Sequence, residues 1–280
     1  MNIIELLMCP ECKSGLSEDL KCSGCHAEYG FKYGVYDVVS RKLSSSQEIR
    51  WKITDDMIES NEKSYMEEPK WVNDYNSRLS DETKQAQQKQ GEFMDELINS
   101  LSGTICDLAT GRGQNLQRLL NSEAKDFNIV CTDIDRRILA MTRKIKKTDD
   151  ARVFYIATDG RYMSVKDDSF NYITSFAAFG NIPESDKVAK ELYRILKPHG
   201  KLIIQGGYIE KGSKSYELAK SWGIEKGMVE EYLTKELENA GFKKVTSTVV
   251  AKAIWAENPY DGLPVAGDMQ YFCVIQAEKD

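Results

Sequence analysis

From residue 104 onward, short apolar runs alternate with stretches in which apolar residues recur at helical spacing. The runs at 105–107, 128–133, 152–157, 172–175 and 201–205 read as buried strands, and 244–250 and 270–277 as two more. Helical periodicity fills 114–121, 137–146, 184–196 and 228–240, and Pro198 and Gly200 close the third of these. Such alternation predicts an α/β domain over 101–280, with a seven-stranded, mainly parallel sheet and helices on both faces.

Upstream the pattern changes. Residues 43–100 are polar, and we read them as a helical linker or lid. Ser45 and Glu48 fit a capping box ahead of Ile49, Ile53 and Met57. A second helix from about Ser80 buries Phe93, Met94, Leu97, Ile98 and Leu101. Trp51, Tyr65, Trp71 and Tyr75 are the aromatic residues that a lid would turn toward a ligand. Residues 1–42 carry two C-x2-C pairs, Cys9/Cys12 and Cys22/Cys25, with nine residues between them. Two tight turns that each aim two thiolates at one point make a tetrahedral S4 site suited to zinc. Protein fills all four positions, so the metal is expected to fold the segment and to do no chemistry. His26 follows as a neighbour, not a ligand. Cys106 and Cys131 lie in strand runs, as small hydrophobes.

The candidate chemistry begins at Asp107-Leu-Ala-Thr-Gly111-Arg-Gly113. A strand, a tight glycine turn and a helix set a nucleotide-like ligand against a helix N-terminus. The next strand ends at Asp133, 20 residues past Gly113, where a ribose-binding acid belongs. A net charge of -6 gives no general attraction to nucleic acid or anionic lipid. No apolar run is long enough to span a bilayer, so the expectation is a cytoplasmic protein with no membrane partner.

Over residues 104–245 the chain resembles the class I S-adenosylmethionine-dependent methyltransferases, in their UbiE-like branch. Asp107 to Gly113 resembles D-x-G-x-G-x-G, with Ala109 in place of the first glycine. Thr132-Asp133-Ile134-Asp135 is similar to the acidic end of the second strand, and Thr158-Asp159-Gly160 to the segment that meets adenine. Glu191-Leu-Tyr-Arg194-Ile-Leu-Lys197-Pro198-His-Gly200 resembles E-x-x-R-[VI]-L-K-P-G-G. Asn171 stands where the resemblance calls for aspartate. Residues 1–42 resemble Trm112-like zinc ribbons, which accompany methyltransferases.

The resemblance implies a Rossmann-like fold and S-adenosylmethionine as methyl donor. It places Asp133, beside Ile134, at the ribose, and Asp159 and Gly160 at adenine. Gly111 and Gly113 would allow close backbone approach, with Ala109 small enough to serve. Asp107 would orient the loop and reach the donor's amino group. Phe176, Phe179, Asn181, Tyr208 and Glu210 fall at the carboxyl ends of strands, each as cleft wall more than as catalyst, and no general base stands out. His199 precedes its strand and lies on the wrong edge. A small-molecule acceptor is the first expectation. RNA is the competing one, against which residues 1–42 carry five Lys plus Arg and six Asp plus Glu. A non-catalytic donor-binding regulator or assembly subunit, with a protein partner on the ribbon, is the third.

Overall fold

The computed structural model describes residues 1–41, 53–60, 70–146 and 150–280. The Ser45–Glu48 box, Ile49, Trp51, Tyr65 and the side chain of Trp71 lie outside the described residues. The strands are β1 (Gly30–Lys32), β2 (Val35–Asp37), β3 (Gly103–Leu108), β4 (Phe127–Asp133), β5 (Val153–Ala157), β6 (Phe170–Phe176), β7 (Leu196–Ile209), β8 (Lys243–Ile254) and β9 (Met269–Glu278). The helices are α1 (Asp55–Glu59), α2 (Lys70–Arg78), α3 (Asp81–Ile98), α4 (Gln114–Asn121), α5 (Arg136–Ile145), α6 (Ser185–Ile195), α7 (Lys214–Ser221) and α8 (Glu230–Ala240).

The strands form one mixed sheet in the order β1-β2-β5-β4-β3-β6-β7-β9-β8. Pairing is parallel from β2 through β7 and antiparallel at both ends. The seven expected strands are β3 to β9, but the sheet has nine among the described residues. The hairpin that follows the second cysteine pair joins it, with Tyr36 opposite Ile156 and Asp37 opposite Ala157. β7 is also longer than expected. It starts at Leu196, and the register jumps from Phe170↔Leu196 to Tyr172↔Lys201, so Lys197 to Gly200 bulge out of the ladder. His199 sits in that bulge with a positive φ, far from the carboxyl ends of the strands.

Side chains alternate across the sheet with the period of two that a pleated strand requires. Cys106, Val130, Ile156 and Ile173 face Val188 and Leu192 of α6. Ile105, Ile129, Cys131 and Tyr155 face Met94 and Ile98 of α3, Leu116 of α4 and Leu139 of α5. Helix α3 therefore packs as its periodicity predicts. Gln90 also pins it to the sheet, donating from Nε2 to the carbonyls of Gly206 at 2.6 Å and Cys273 at 2.7 Å. Among the described residues, no helix is long and apolar enough to cross a membrane.

Parallel register brings the ends of β3, β4, β5 and β6 to one edge of the sheet. Chain order reverses at β3, which lies between β4 and β6. A crevice outside the carboxyl ends of the strands at such a point is where ligands bind in open α/β sheets.

Candidate functional site

A cleft of about 680 Å³ opens at that point. Asp107, Ala109, Gly111, Asp133, Ile134, Asp159, Gly160 and Phe176 all line it, so the structure gathers eight of the nine residues expected at a donor. The ninth, Gly113, does not. It is the N-cap of α4 at φ +76°, and a Cβ there would stand 2.6 Å from Thr142 Cγ2. It serves the close approach of α4 to α5 instead of facing a ligand.

Asp107 is fully buried. Its Oδ1 accepts from Asn115 Nδ2 at 2.7 Å, and the same nitrogen donates to Thr174 Oγ1 at 2.9 Å. Oδ2 has no partner. Burial pushes the carboxyl up to about 6, and the bond from Asn115 offsets only part of that rise. A buried carboxylate oxygen on a residue that borders a cleft is an acceptor waiting for a donor. Thr110 and Thr132 hold the strand end itself, each donating a hydroxyl to the Asp107 carbonyl at 3.0 and 3.1 Å.

Asp133 closes β4 and grips the glycine turn. Its Oδ2 accepts from Gly111 N at 3.0 Å and its Oδ1 from Asp135 N at 3.3 Å. Burial raises its carboxyl, while these backbone donors pull the other way. Thr142 Oγ1 donates to the Gly111 carbonyl at 2.6 Å, which fixes the turn from the α5 side.

Ala109 has φ +51°, in the left-handed region, where the resemblance calls for glycine. A methyl there strains the backbone by about 1 kcal/mol or more. Ala109→Gly is therefore expected to raise stability by about 0.5–1 kcal/mol, after the larger unfolded-state entropy of glycine is subtracted. Denaturant midpoints would show it, and a lower midpoint would mean that the methyl's packing outweighs the strain.

Asp159 reaches the cleft with its carboxylate already engaged. Arg161 donates from Nε at 3.1 Å to Oδ1 and from Nη2 at 2.8 Å to Oδ2, and its backbone N–H adds 2.9 Å to Oδ1. Arg161 Nη1 also reaches Glu184 at 2.8 Å. Motif spacing at the donor does not point to Arg161. Its signal is a repeated Asp-x-Arg spacing, since Asp135/Arg137 and Asp150/Arg152 fold into the same bidentate clasp.

The far wall consists of Ala177, Ala178, Asn181, Ile182, Pro183, Trp222 and Ile224. Asn181 thus joins the cleft, with Nδ2 donating to the Ala177 carbonyl at 2.9 Å. Phe179 and Tyr208 are buried away from it, and Glu210 accepts from the Tyr271 hydroxyl, so none of the three lines the cleft. Asn171 lies at the opposite sheet edge, where Oδ1 accepts from Thr104 N at 3.0 Å and Lys197 Nζ at 3.1 Å. The departure from aspartate there leaves the cleft untouched.

The second constellation is the cysteine cluster. The Sγ atoms of Cys9, Cys12, Cys22 and Cys25 lie within 4.8 Å of one another. Cys9 and Cys25 are 3.6 Å apart and Cys12 and Cys22 3.4 Å, near the ~3.8 Å edge of a tetrahedron with ~2.3 Å zinc–sulfur bonds. The amides of Gly24 and Cys25 point at Cys22 Sγ from 3.3 and 3.4 Å. His26, exposed, is outside the group.

Residues 72–219 match the ubiE/COQ5 methyltransferase family. A ubiquinone/menaquinone biosynthesis C-methyltransferase UbiE from Rickettsia typhi is 30% identical over 119 residues, 40% of this chain and 47% of that protein. Its counterpart in Wigglesworthia glossinidia brevipalpis is 35% identical over 102 residues, 36% of this chain and 41% of that one. The chain thus spans about half the length of the curated relatives it matches. Among solved structures, phosphoethanolamine N-methyltransferase 2 of Haemonchus contortus, in complex with S-adenosyl-L-methionine, aligns with a TM-score of 0.53 at 19% identity. The alignment covers 68% of this chain and 52% of that one. The cyclase SpnF aligns with a TM-score of 0.50 at 17% identity, covering 67% and 80%. At these identities the likeness is one of fold, which a methyltransferase and a cyclase share.

Proposed function

Because the chain belongs to the ubiE/COQ5 methyltransferase family, we propose that it moves a methyl group from S-adenosylmethionine to a small-molecule acceptor. The observation that carries this reading is the unpartnered, buried Oδ2 of Asp107, set beside the glycine turn and Asp133 in one cleft. An ammonium at the amino-acid end of the donor satisfies that oxygen, and two ribose hydroxyls satisfy Asp133. Thr158, Asp159 and Gly160 then border the base. The donor supplies a methyl on a sulfonium, an activated leaving group. The protein binds, orients and excludes water, and orientation of this kind is worth up to ~7–11 kcal/mol. Phe176, Ala177, Ala178 and Trp222 give the acceptor side an apolar wall. That lining and the acidic chain favour a small molecule over RNA. We further propose zinc at the four cysteines as a structural ion.

Asp107 makes the donor reading testable by pH. Its carboxyl lies at about 6 against an ordinary 3.8, so its contribution to stability is full below about 4 and is lost as pH rises through 6. The loss is about 3 kcal/mol, at ~1.4 kcal/mol per pKa unit. Bound ammonium reverses the preference, because it favours the carboxylate. Calorimetric affinity for S-adenosylmethionine should therefore climb between pH 5 and 7 in the wild type and climb distinctly less in Asp107→Asn, where Asp133 alone still titrates. Parallel curves for the two proteins would remove Asp107 from the site.

Transfer itself is tested with methyl-labelled S-adenosylmethionine and cell extract. Label is expected in the small-molecule fraction. Label confined to RNA would overturn the acceptor class, and none in any fraction would favour the non-catalytic reading.

A further inference from the structure

We propose that the cysteine ribbon is the rear support of the loop that carries Thr158, Asp159, Gly160 and Arg161 into the cleft, so that zinc and donor bind cooperatively. The inference rests on the donor reading above and adds a second ligand to it.

Residues 158–167 leave β5, present four side chains or amides to the cleft, and turn back beneath it. Their rear is bonded to the ribbon. Met8 N donates to the Ser164 carbonyl at 3.0 Å, Lys166 N donates to the Leu6 carbonyl at 2.9 Å, and Leu7 bridges Val165 between them. Ser164 is the centre of this joint and is wholly buried. Its hydroxyl donates to the Val38 carbonyl and lies 3.1 Å from Thr158 Oγ1, while its amide donates to that same Oγ1 at 2.9 Å. Thr158 is itself a cleft residue. A single side chain thus separates the ribbon backbone from the ligand site. Val38 N adds a bond of 3.0 Å to the Ala157 carbonyl, extending the β2–β5 ladder.

Among the described residues, the cysteine turns themselves have little else to order them. Met8 leads directly into Cys9, and the hairpin arrives from Tyr29, whose hydroxyl lies 3.3 Å from Cys9 Sγ. The apolar cluster around the cysteines is only Cys9, Cys22 and Ala27, with Leu16 and Tyr29 at its border. A segment with so small a core depends on its metal to hold its shape. Leu7, Leu20 and Val38 of the ribbon share one buried cluster with Met163 and Val165 of the donor loop, while Val35 packs in the cluster on the other face of the sheet. The E-x-x-R motif closes the same loop from α6. Arg194 donates to the carbonyls of Val165 at 2.7 Å and Met163 at 3.1 Å, and Glu191 pairs with Arg194 and, at 3.6 Å, with Lys13 between the cysteine pairs.

An ion that orders the ribbon therefore orders the loop, and a donor that orders the loop must tighten the ion by the same factor. The test is calorimetry of S-adenosylhomocysteine with the full chain, zinc-loaded and chelator-stripped, joined to amide hydrogen exchange over 158–166. Stripping should weaken binding about fivefold or more, within the usual range of site coupling, and should speed exchange in 158–166. Ser164→Ala keeps all four cysteines. It should retain one zinc per chain yet lose donor affinity by a similar factor. Equal affinity with and without zinc, or wild-type affinity in a folded Ser164→Ala protein, overturns the proposal. If stripping unfolds the whole chain, Ser164→Ala decides. If the zinc-loaded protein binds no donor, the donor reading fails, and hydrogen exchange alone then judges whether the ribbon holds the loop.

Discussion

Asp133→Ala is expected to weaken S-adenosylmethionine binding at least tenfold while the fold stays intact. A ribose diol presents two O–H donors to one carboxylate, and hydrogen bonds to a charged group contribute about 1.5–3 kcal/mol each. One such bond already exceeds the ~1.4 kcal/mol that corresponds to a factor of ten. The variant also releases Gly111 N, which Oδ2 accepts at 3.0 Å, and so loosens the turn that faces the donor. The fold should survive because Asp133 lines the cleft, so water can replace the acceptors that the turn amides lose. Calorimetry beside a thermal melt separates the two effects. A folded variant with unchanged affinity would contradict the assignment.

Gly113→Ala should be the most destabilising single-atom change near the site, at about 2–5 kcal/mol. Two costs add. The left-handed backbone at φ +76° charges a non-glycine residue about 1–2 kcal/mol. The new Cβ also meets Thr142 Cγ2 at 2.6 Å. Thr142 cannot yield freely, because it is buried and its hydroxyl holds the Gly111 carbonyl at 2.6 Å, and overpacking of this kind costs about 1–3 kcal/mol. Gly111→Ala is the contrast. It bears the same left-handed strain at φ +51°, about 1–2 kcal/mol, but its Cβ would come no nearer than 3.9 Å to the Ala109 carbonyl, so it should cost the fold less than Gly113→Ala. Urea denaturation ranks the two, and equal midpoints would show that α4 and α5 can part to admit a methyl.

The core of the site was legible because its signals are local. The strand at 105–107, the glycine turn and Asp133 each follow from residues a few positions apart, and a parallel sheet then brings them together. What escaped depends on long-range packing. The β1 and β2 strands have three residues each, and the hairpin's place on the sheet follows from pairing of β2 with Ile156 and Ala157, more than 100 residues away. Helix α7 shows no apolar stripe, since only Ser215 and Ala219 are buried, so Trp222 and Ile224 beyond it had no element to place them at the cleft. A glycine motif does not reveal which glycine faces a ligand and which, like Gly113, faces a helix. The bulge at Lys197 to Gly200 was read as a gap between elements, where the strand in fact begins at Leu196.

The most direct test of the donor cleft is a crystal structure of the zinc-loaded chain with S-adenosylhomocysteine. The predicted result is a ligand at the carboxyl ends of β3, β4 and β5. Its amino group would lie within hydrogen-bond distance of Asp107 Oδ2, its ribose hydroxyls on Asp133, and its base beside Asp159 and Gly160. A ligand bound elsewhere, or one that leaves Asp107 Oδ2 and Asp133 unengaged, would contradict the account.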